Sequence, residues 1–563
     1  MAEYPLTVTT GDVLHAGAFD NVYVTLVGAQ GRSNRTQLIG VGPGNETEKV
    51  GTFSVTSAFT LGFLLLLQVE KDPFHESEAK PWFCSTIAVR TPEDDDVFFP
   101  CYKWLSRGDL VLLRGGRGMA FVLNIKEPNS LPAEDRFSFS KAKHSAYRRK
   151  VSQLWKNDDF FAYQFLNGVN PYMIRRCSKL PPNFPVTDEM VKPFLAKGTT
   201  LTKEMEIGNI FIVDYKIMEG LPTTVLDGKR VPLTAALCLL YMTNEKKLRP
   251  LAIQLGQQPS QDNPIFLPSD SEADWLLAKL HVRHVDTLHG LLVSHLHNTH
   301  LVAEVFAMAT LRNLPMIHPL HKVNARRRGQ SDFRGTGDGC LPLMRRALVQ
   351  LSYASLCAPD DIAARGLESV LNFYYRDDAL RMWNVIHSFV TAVVAYYYPL
   401  DSEVQKSGLL AGVGGSFAGF PSSLQNVEEL IKYVTMLIFT VSARHASLNS
   451  GQMDYLTWIP NGPLLLHLAP PTAKGNTTME DILTTLPDKS FGSLTLNVSF
   501  VCLAQVSLGH YPQRFSEPAV LRMIEDFQAE LSTISDAIVK RNEELQLPYP
   551  YLNPKEIENS VSI

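Results

Sequence analysis

Apolar and polar positions alternate over short stretches early in the chain: Leu6 to Thr10, Val22 to Val27, Gly51 to Val55, Leu61 to Val69 and Thr86 to Val89. A period of two sends successive side chains to opposite faces of an extended backbone, so each stretch predicts a strand with one buried face. Turn-forming Gly28-Ala-Gln-Gly31 and Gly42-Pro-Gly-Asn45 separate them, and the set predicts a small antiparallel β-sandwich. After Gly118 the pattern lengthens to helical periodicity with few glycines or prolines, over Asp270 to Leu314, Gly339 to Cys357, Ala379 to Tyr398, Val427 to Asn449 and Pro518 to Gln546. A large, mainly α-helical domain is expected to follow the sandwich.

Composition fits this division. A chain of 563 residues exceeds one ordinary core, and 45% hydrophobic with 20% charged residues supplies ample material for burial. With 53 basic against 57 acidic residues the net charge is −4, which argues against nucleic acid as a partner. Seven cysteines (Cys84, Cys101, Cys177, Cys238, Cys340, Cys357, Cys502) are spread without a CxxC pair. They read as reduced thiols, which points to the cytoplasm rather than to a disulfide framework or a structural zinc site. The first residues lack the basic-then-apolar pattern of a signal peptide, and Leu61 to Val69 is too short to span a bilayer, so any membrane contact is expected to be peripheral.

The candidate chemistry lies in histidine placement. Six of fifteen histidines fall between His281 and His300, within the apolar run Trp275 to Leu314, and two of them stand in the spacing His295-Leu-His-Asn-Thr-His300. Residues five apart on an α-helix point about 140° from one another, so the pair can grip one ion only where the helix widens into a π-type turn, a feature that tends to occur at functional sites. His445 and Asn449, at i and i+4 near the end of the apolar helix Val427 to Ser450, already share a face. Two helices then offer four ligands in a dry interior, where a first-row metal suits an apolar substrate. Hydrogen-bonded core histidines explain the same residues, so spacing alone goes no further than a candidate non-haem metal site. His297 points away and is expected to face solvent or to be hydrogen-bonded, while His281, His284 and His289 are placed on the polar side of the helix, with His289 as an alternative neighbour of the ligands.

The wording around these residues resembles the animal lipoxygenases, closest to the epidermal members. The resemblance rests on Trp275-Leu-Leu-Ala-Lys279, His295-Leu-His-Asn-Thr-His-Leu-Val-Ala-Glu304 and Leu314-Pro-Met-Ile-His318-Pro. It continues in Asn263 to Asp270, Tyr374-Tyr-Arg-Asp-Asp378, Ser442 to Gln452, Trp458-Ile-Pro-Asn461, Pro470 to Gly475 and Asn559-Ser-Val-Ser-Ile563. It implies a PLAT or C2-like β-sandwich over residues 1–117 and a helical lipoxygenase catalytic domain over 118–563. Carried over by position, it makes His295, His300 and His445 the imidazole ligands of one non-haem iron, Asn449 a weak oxygen ligand and the carboxylate of Ile563 the fifth. Gln452 resembles the amide that orients the ligands, and His318 a recurrent histidine that binds no metal. Leu296, Leu301 and Leu448 fall where relatives line the substrate channel, and Phe160, Phe161 and Tyr163 where they form its entrance; apolar core is the alternative for each. Asp20, Asn45, Glu46 and Glu48 match the calcium loops in part, with Phe19 at a position often acidic. Trp82 and Trp104 are expected either to dip into a membrane interface or to pack on the catalytic domain.

The resemblance implies a fatty acid dioxygenase acting on arachidonate or linoleate, in which the metal-bound hydroxide takes a hydrogen atom from a doubly allylic methylene and no side chain serves as general base. Segments present in relatives are missing after Arg117, after Val323, where Asn324-Ala-Arg326 is the remnant of a covering helix, and between Gln405 and Phe420. Ala325 stands at the position that would favour S products, and Leu291 replaces a polar residue. Two alternatives stay open: a hydroperoxide isomerase that makes epoxyalcohols on the same iron, and a lipid-binding homologue without turnover.

Overall fold

A computed structural model describes residues 2–10, 22–38, 50–62, 64–71, 82–93, 96–106, 108–114, 145–223, 225–226, 229–314, 318–324, 341–406, 418–487, 507–511 and 515–559. The chain forms two compact units, Met1–Arg136 and Phe137–Ile563. This junction and the boundary expected at 117/118 both fall outside the described residues.

The first unit is the β-sandwich. Its strands are β1 (Ala2–Thr10), β2 (Val22–Gly28), β3 (Gly31–Arg32), β4 (Thr36–Leu38), β5 (Val50–Ser57), β6 (Leu64–Lys71), β7 (Trp82–Arg90), β8 (Asp96–Leu105) and β9 (Leu110–Arg114). They make two antiparallel sheets, β5-β1-β7-β8 and β3-β2-β6-β9, with β4 also paired to β2. Alternation decides what is buried: Tyr4, Leu6 and Val8 from one sheet meet Val22, Val24, Leu26, Leu67 and Val69 from the other in a single core. The expected strands are all present; β8 and β9 extend the sheets beyond them. Trp82 corrects its expectation, since it lies fully inside this core and donates from Nε1 to Thr10 Oγ1 at 3.1 Å. It is neither a membrane anchor nor a docking residue, because its ring fills the sandwich interior. Of Trp104 only the backbone, in β8, is described. The proposed calcium residues Asp20, Asn45, Glu46 and Glu48 lie outside the described residues.

The second unit is mainly helical, yet it holds a five-stranded antiparallel sheet in the order β10 (Arg175–Arg176), β11 (Ile210–Asp214), β14 (Leu237–Met242), β15 (Leu248–Gln254) and β16 (Ile265–Phe266). A separate hairpin pairs β12 (Val225–Leu226) with β13 (Lys229–Arg230). Every residue of β14 is buried: Cys238, Leu240 and Met242 face the main core, while Leu237, Leu239 and Tyr241 face a smaller one. An apolar run buried on both faces loses the alternation that marks a strand, which is why periodicity did not reveal this sheet. The helix Glu272–His289 packs on β15 and β16, while Tyr374–Tyr397 packs against Val427–Phe439 and Pro518–Glu544.

One close approach tests the sandwich. A Cβ added to Gly28 would lie 2.2 Å from the Leu61 carbonyl oxygen, which itself accepts from Gln30 N at 3.0 Å. Gly28→Ala is expected to destabilise this unit by about 1–3 kcal/mol, read as a fall in its Tm, because backbone must shift; an unchanged Tm would contradict the packing of β2 on that turn.

Candidate metal centre

The helix Glu272–His289 starts where Ser271 Oγ accepts from Asp274 N, with Glu272 and Asp274 placing negative charge in the first turn. It runs without interruption into a π-helical segment, Gly290–Leu301, and returns to α geometry over Val302–Asn313. The widening expected from the five-residue spacing is therefore present, with Val302 N donating to His297 O. Local chemistry favours it. Thr299 Oγ1 bonds back to His295 O, Thr287 Oγ1 to Arg283 O, and hydroxyls that compete for helix carbonyls loosen the i to i−4 ladder. A second π segment, Thr440–Arg444, follows the helix Val427–Phe439, and there too Ser442 Oγ bonds back to Ile438 O. The spacing of His445 and Asn449 gave no sign of this one. Both residues lie in the short α-helix His445–Asn449 beyond it.

These two wide segments bring three imidazoles together. One nitrogen from each of His295, His300 and His445 lies within 4.8 Å of the others, and ring centroids are 4.7, 5.0 and 4.8 Å apart. Nε2 of His295 and Nε2 of His300 are 3.1 Å apart. Two nitrogens bound at right angles to one ion at about 2.1 Å would be about 3 Å apart, so the donor set fits a first-row metal. Burial pushes the pKa of His300 down to about 4, which keeps its ring neutral and its lone pair available near pH 7. Asn449 is buried one turn beyond His445. The amide of Gln452, itself buried, lies 3.5 Å from His295 Nδ1 and donates to Leu448 O at 2.9 Å. Ile563 lies outside the described residues. The chain leading towards it is packed in place: Ile557 is buried, Leu508 N donates to its carbonyl at 2.9 Å, and Asn559 Nδ2 donates to His510 O at 3.2 Å.

Three of the other histidines need correction. His281, His284 and His289 do not line a polar side; all are buried, because fifteen of the eighteen residues in their helix are enclosed. Of the two settings expected for His297, the hydrogen-bonded one is present: the ring is buried and its Nδ1 meets Asn298 Oδ1 at 2.7 Å. His318 sits between Leu320 N (3.2 Å) and the Tyr398 hydroxyl (2.8 Å). His289 joins a polar network that sequence reasoning missed. Asp286 pairs with Arg283, accepts from the Tyr215 hydroxyl at 2.7 Å and from Asn170 Nδ2 at 2.8 Å; Asn170 Oδ1 accepts from Ser294 Oγ at 2.9 Å, and Ser294 lies 3.3 Å from His289 Nδ1. The charged pair Arg283 and Asp286, three apart in an apolar helix, was its visible signal. The network pins the start of the π segment, where a Cβ on Gly290 would lie 3.1 Å from Asn170 Cβ.

Leu296 and Leu448 are buried and Leu301 is half-buried; Leu296 and Leu301 each follow a cluster histidine directly, and Leu448 lies three residues after His445. Phe161 packs beneath Arg283 and Lys279, at 5.3 and 5.9 Å from the ring centroid. Phe160 and Tyr163 instead line a cavity of about 310 Å³.

The chain resembles known proteins along its whole length. Residues 126–326 and 347–549 match the family model described as Lipoxygenase, and residues 4–113 match the PLAT/LH2 domain. The chain is 34% identical to arachidonate 12-lipoxygenase, 12R-type, of Mus musculus over 701 positions. It is 35% identical to hydroperoxide isomerase ALOXE3 of Homo sapiens over 711 positions, and each match covers 100% of both chains. Among solved structures, a calcium-dependent 11R-lipoxygenase superposes with a TM-score of 0.71 at 28% identity, and a lipoxygenase in complex with arachidonate with 0.70 at 26%, again over 100% of both chains. The 701 positions exceed this chain's 563 residues by 138, which are positions of the 12R-type match without a residue here. The family match itself breaks between 326 and 347, where the covering helix was expected to be curtailed.

The buried histidines outside the cluster give this unit a pH dependence. Burial pushes His281 down to about 3, aided by the neighbouring His284, and His284 down to about 4. Lowered folded values mean stability that is present above the unfolded pKa near 6.5 and lost as pH falls towards 4. His284→Leu is expected to remove about 2 kcal/mol of the stability lost between pH 7 and pH 5, seen as a smaller drop in Tm; an equal drop in both proteins would contradict a buried neutral ring.

Proposed function

Because the chain belongs to the lipoxygenase family, we propose that it is a non-haem iron dioxygenase that converts polyunsaturated fatty acids such as arachidonate and linoleate into hydroperoxides. The observation that carries this reading is the convergence of His295, His300 and His445 within 4.8 Å inside an apolar core. These three would hold the iron, with Asn449 as a weak oxygen donor and the carboxylate of Ile563 as the fifth ligand. Bound iron supplies one-electron chemistry that takes a hydrogen atom from the doubly allylic methylene and opens the acyl chain to dioxygen. The chain's own residues position and protect. Gln452 fixes the ring of His295, while Leu296, Leu301 and Leu448 give the acyl chain an apolar wall and keep water out. Tyr163, with Phe160, suits the channel entrance better than Phe161, whose ring is covered by Arg283 and Lys279.

A second reading, hydroperoxide isomerisation to epoxyalcohols on the same iron, is favoured by an identity to ALOXE3 of 35%, level with the 34% to the 12R-type dioxygenase. Calcium at Asp20, Asn45, Glu46 and Glu48 would draw the PLAT domain reversibly to a membrane surface from the cytoplasm. This is supported by the domain match and by the calcium-dependent relative. No helix among the described residues is long and apolar enough to cross a membrane, and Cys177, Cys238 and Cys357 are free thiols.

Purified protein is expected to contain one iron per chain and to consume oxygen with arachidonate or linoleate, whereas His300→Ala loses both; full iron in that variant would overturn the ligand assignment. Loss of fatty acid hydroperoxide at low oxygen, without uptake on the parent acid, identifies the isomerase, and iron without either activity identifies a lipid-binding homologue. Gln452→Leu is expected to weaken iron binding by about 10 to 100-fold while the fold persists. With the cover over the site shortened, chiral chromatography should resolve several positional and stereochemical products rather than one.

A further inference from the structure

Tyrosines gather on the segment that follows the helix Pro518–Glu544 and on what it packs against. Tyr549 and Tyr551 are buried with ring centroids 5.2 Å apart, Tyr551 lies 6.2 Å from Tyr455, and Tyr455 lies 5.3 Å from Tyr147. Rings at these separations are in contact. The segment is fixed to the helix before it: Tyr549 N donates to Asn542 Oδ1 at 3.0 Å, and Arg541 Nη2 donates to Tyr549 O at 2.8 Å. Tyr551 also lies against the support of the metal centre. A Cβ added to Gly451 would lie 3.3 Å from its ring, and Gly451 stands between Asn449 and Gln452, whose amide lies 3.5 Å from His295 Nδ1.

What separates these tyrosines is where each phenolic proton can go. Tyr455 donates to Asn167 O at 3.0 Å, and a carbonyl only accepts, so Tyr147 must be the donor in the 2.5 Å contact between the Tyr147 and Tyr455 hydroxyls. That chain ends on an amide oxygen, too weak a base to take a proton. The Tyr549 hydroxyl has no hydrogen-bond partner among the described residues. Tyr551 alone of the four donates to a carboxylate, Asp454 Oδ2, at 3.0 Å. Asp454 is itself buried, in the helix Gln452–Leu456. Burial, with the neighbouring tyrosines and Asp454, pushes the Tyr551 phenol well above its usual pKa and keeps it neutral. A neutral buried phenol gives up an electron readily only if its proton leaves as well, because an uncompensated positive charge is costly in this core. Asp454 stands within the reach that such a proton transfer needs.

We propose that Tyr551 is a redox-active tyrosine, with Asp454 as its proton acceptor, that converts stray radicals from the metal centre into closed-shell products. The oxidant is a lipid alkoxyl radical, the product of one-electron cleavage of a fatty acid hydroperoxide, so its supply rests on the proposed iron chemistry. One electron passes from Tyr551 to the alkoxyl oxygen, which takes a proton from solvent water, releases hydroxide and becomes an alcohol. The phenolic proton moves to Asp454 Oδ2, leaving a neutral tyrosyl radical. Tyr455 and Tyr549 flank the ring and extend the aromatic path away from the metal centre.

Two arms on the full-length protein test this. In the first, tris(bipyridine)ruthenium(III), generated by a laser flash with persulfate, removes an electron without iron or lipid. In the second, the ferrous protein is mixed anaerobically with linoleic acid hydroperoxide and freeze-quenched. Electron paramagnetic resonance on protein carrying ring-deuterated tyrosine identifies the radical. A long-lived tyrosyl signal is expected in both arms, because burial shields the radical from coupling. It should fall at least fivefold in Tyr551→Phe, which keeps the ring on Gly451, and in Asp454→Asn, which keeps an acceptor oxygen but cannot hold the proton, while Tyr549→Phe retains it. A hydrogen bond that only tied the segment in place would leave the radical yield unchanged in both variants. An undiminished signal in Tyr551→Phe or Asp454→Asn, no long-lived tyrosyl signal after the flash, or none from hydroperoxide that the protein does consume would each overturn the proposal. If hydroperoxide is not consumed while the flash signal persists and depends on Tyr551, the iron reading fails and the assignment of Tyr551 stands.

Discussion

The structure depends on two helices that widen inside the core. An ordinary α-helix cannot turn His295 and His300 towards one point, and a single helix cannot supply His445. The π segment Gly290–Leu301 solves the first constraint, and its packing against the helix His445–Asn449 solves the second. Hydroxyls that bond back to carbonyls weaken the ladder in both helices. The surrounding core then holds the wide turns, which would be unstable in isolation.

Enclosure turns that geometry into chemistry. Because the histidine helix is buried on nearly every side, the imidazoles of His281, His284, His289 and His300 are kept neutral and its charged groups must find partners internally. Arg283 and Asp286 do so through Tyr215, Asn170 and Ser294, and this network fixes the helix at the residue where it begins to widen. Gln452 reaches the cluster from the chain beyond His445. Apolar wall, neutral donors and a held geometry are what a radical reaction on a lipid requires, since escape of the intermediate to water is its main hazard.

Much of this was legible in the residues. The period-two stretches predict the sandwich, and the five-residue spacing of His295 and His300 requires a π turn if both are to face one ion. What was not legible has physical reasons. Strand β14 is buried on both faces and so carries no alternation. The position of Trp82 in the sandwich core could not be separated from an exposed anchor, because tryptophan suits both. His281 and His284 were assigned to a polar face that does not exist, since periodicity reports which side is apolar but not whether the opposite side is also covered. The π turn before His445 leaves no trace in a ligand pair already spaced by four.

The most direct measurement is X-ray absorption at the iron edge of the purified full-length protein. Three imidazole nitrogens in one first shell, reduced to two when His445 is replaced by alanine in any protein that still retains metal, is the predicted result. An iron shell made of oxygens alone, or one unchanged by that replacement, would contradict the account.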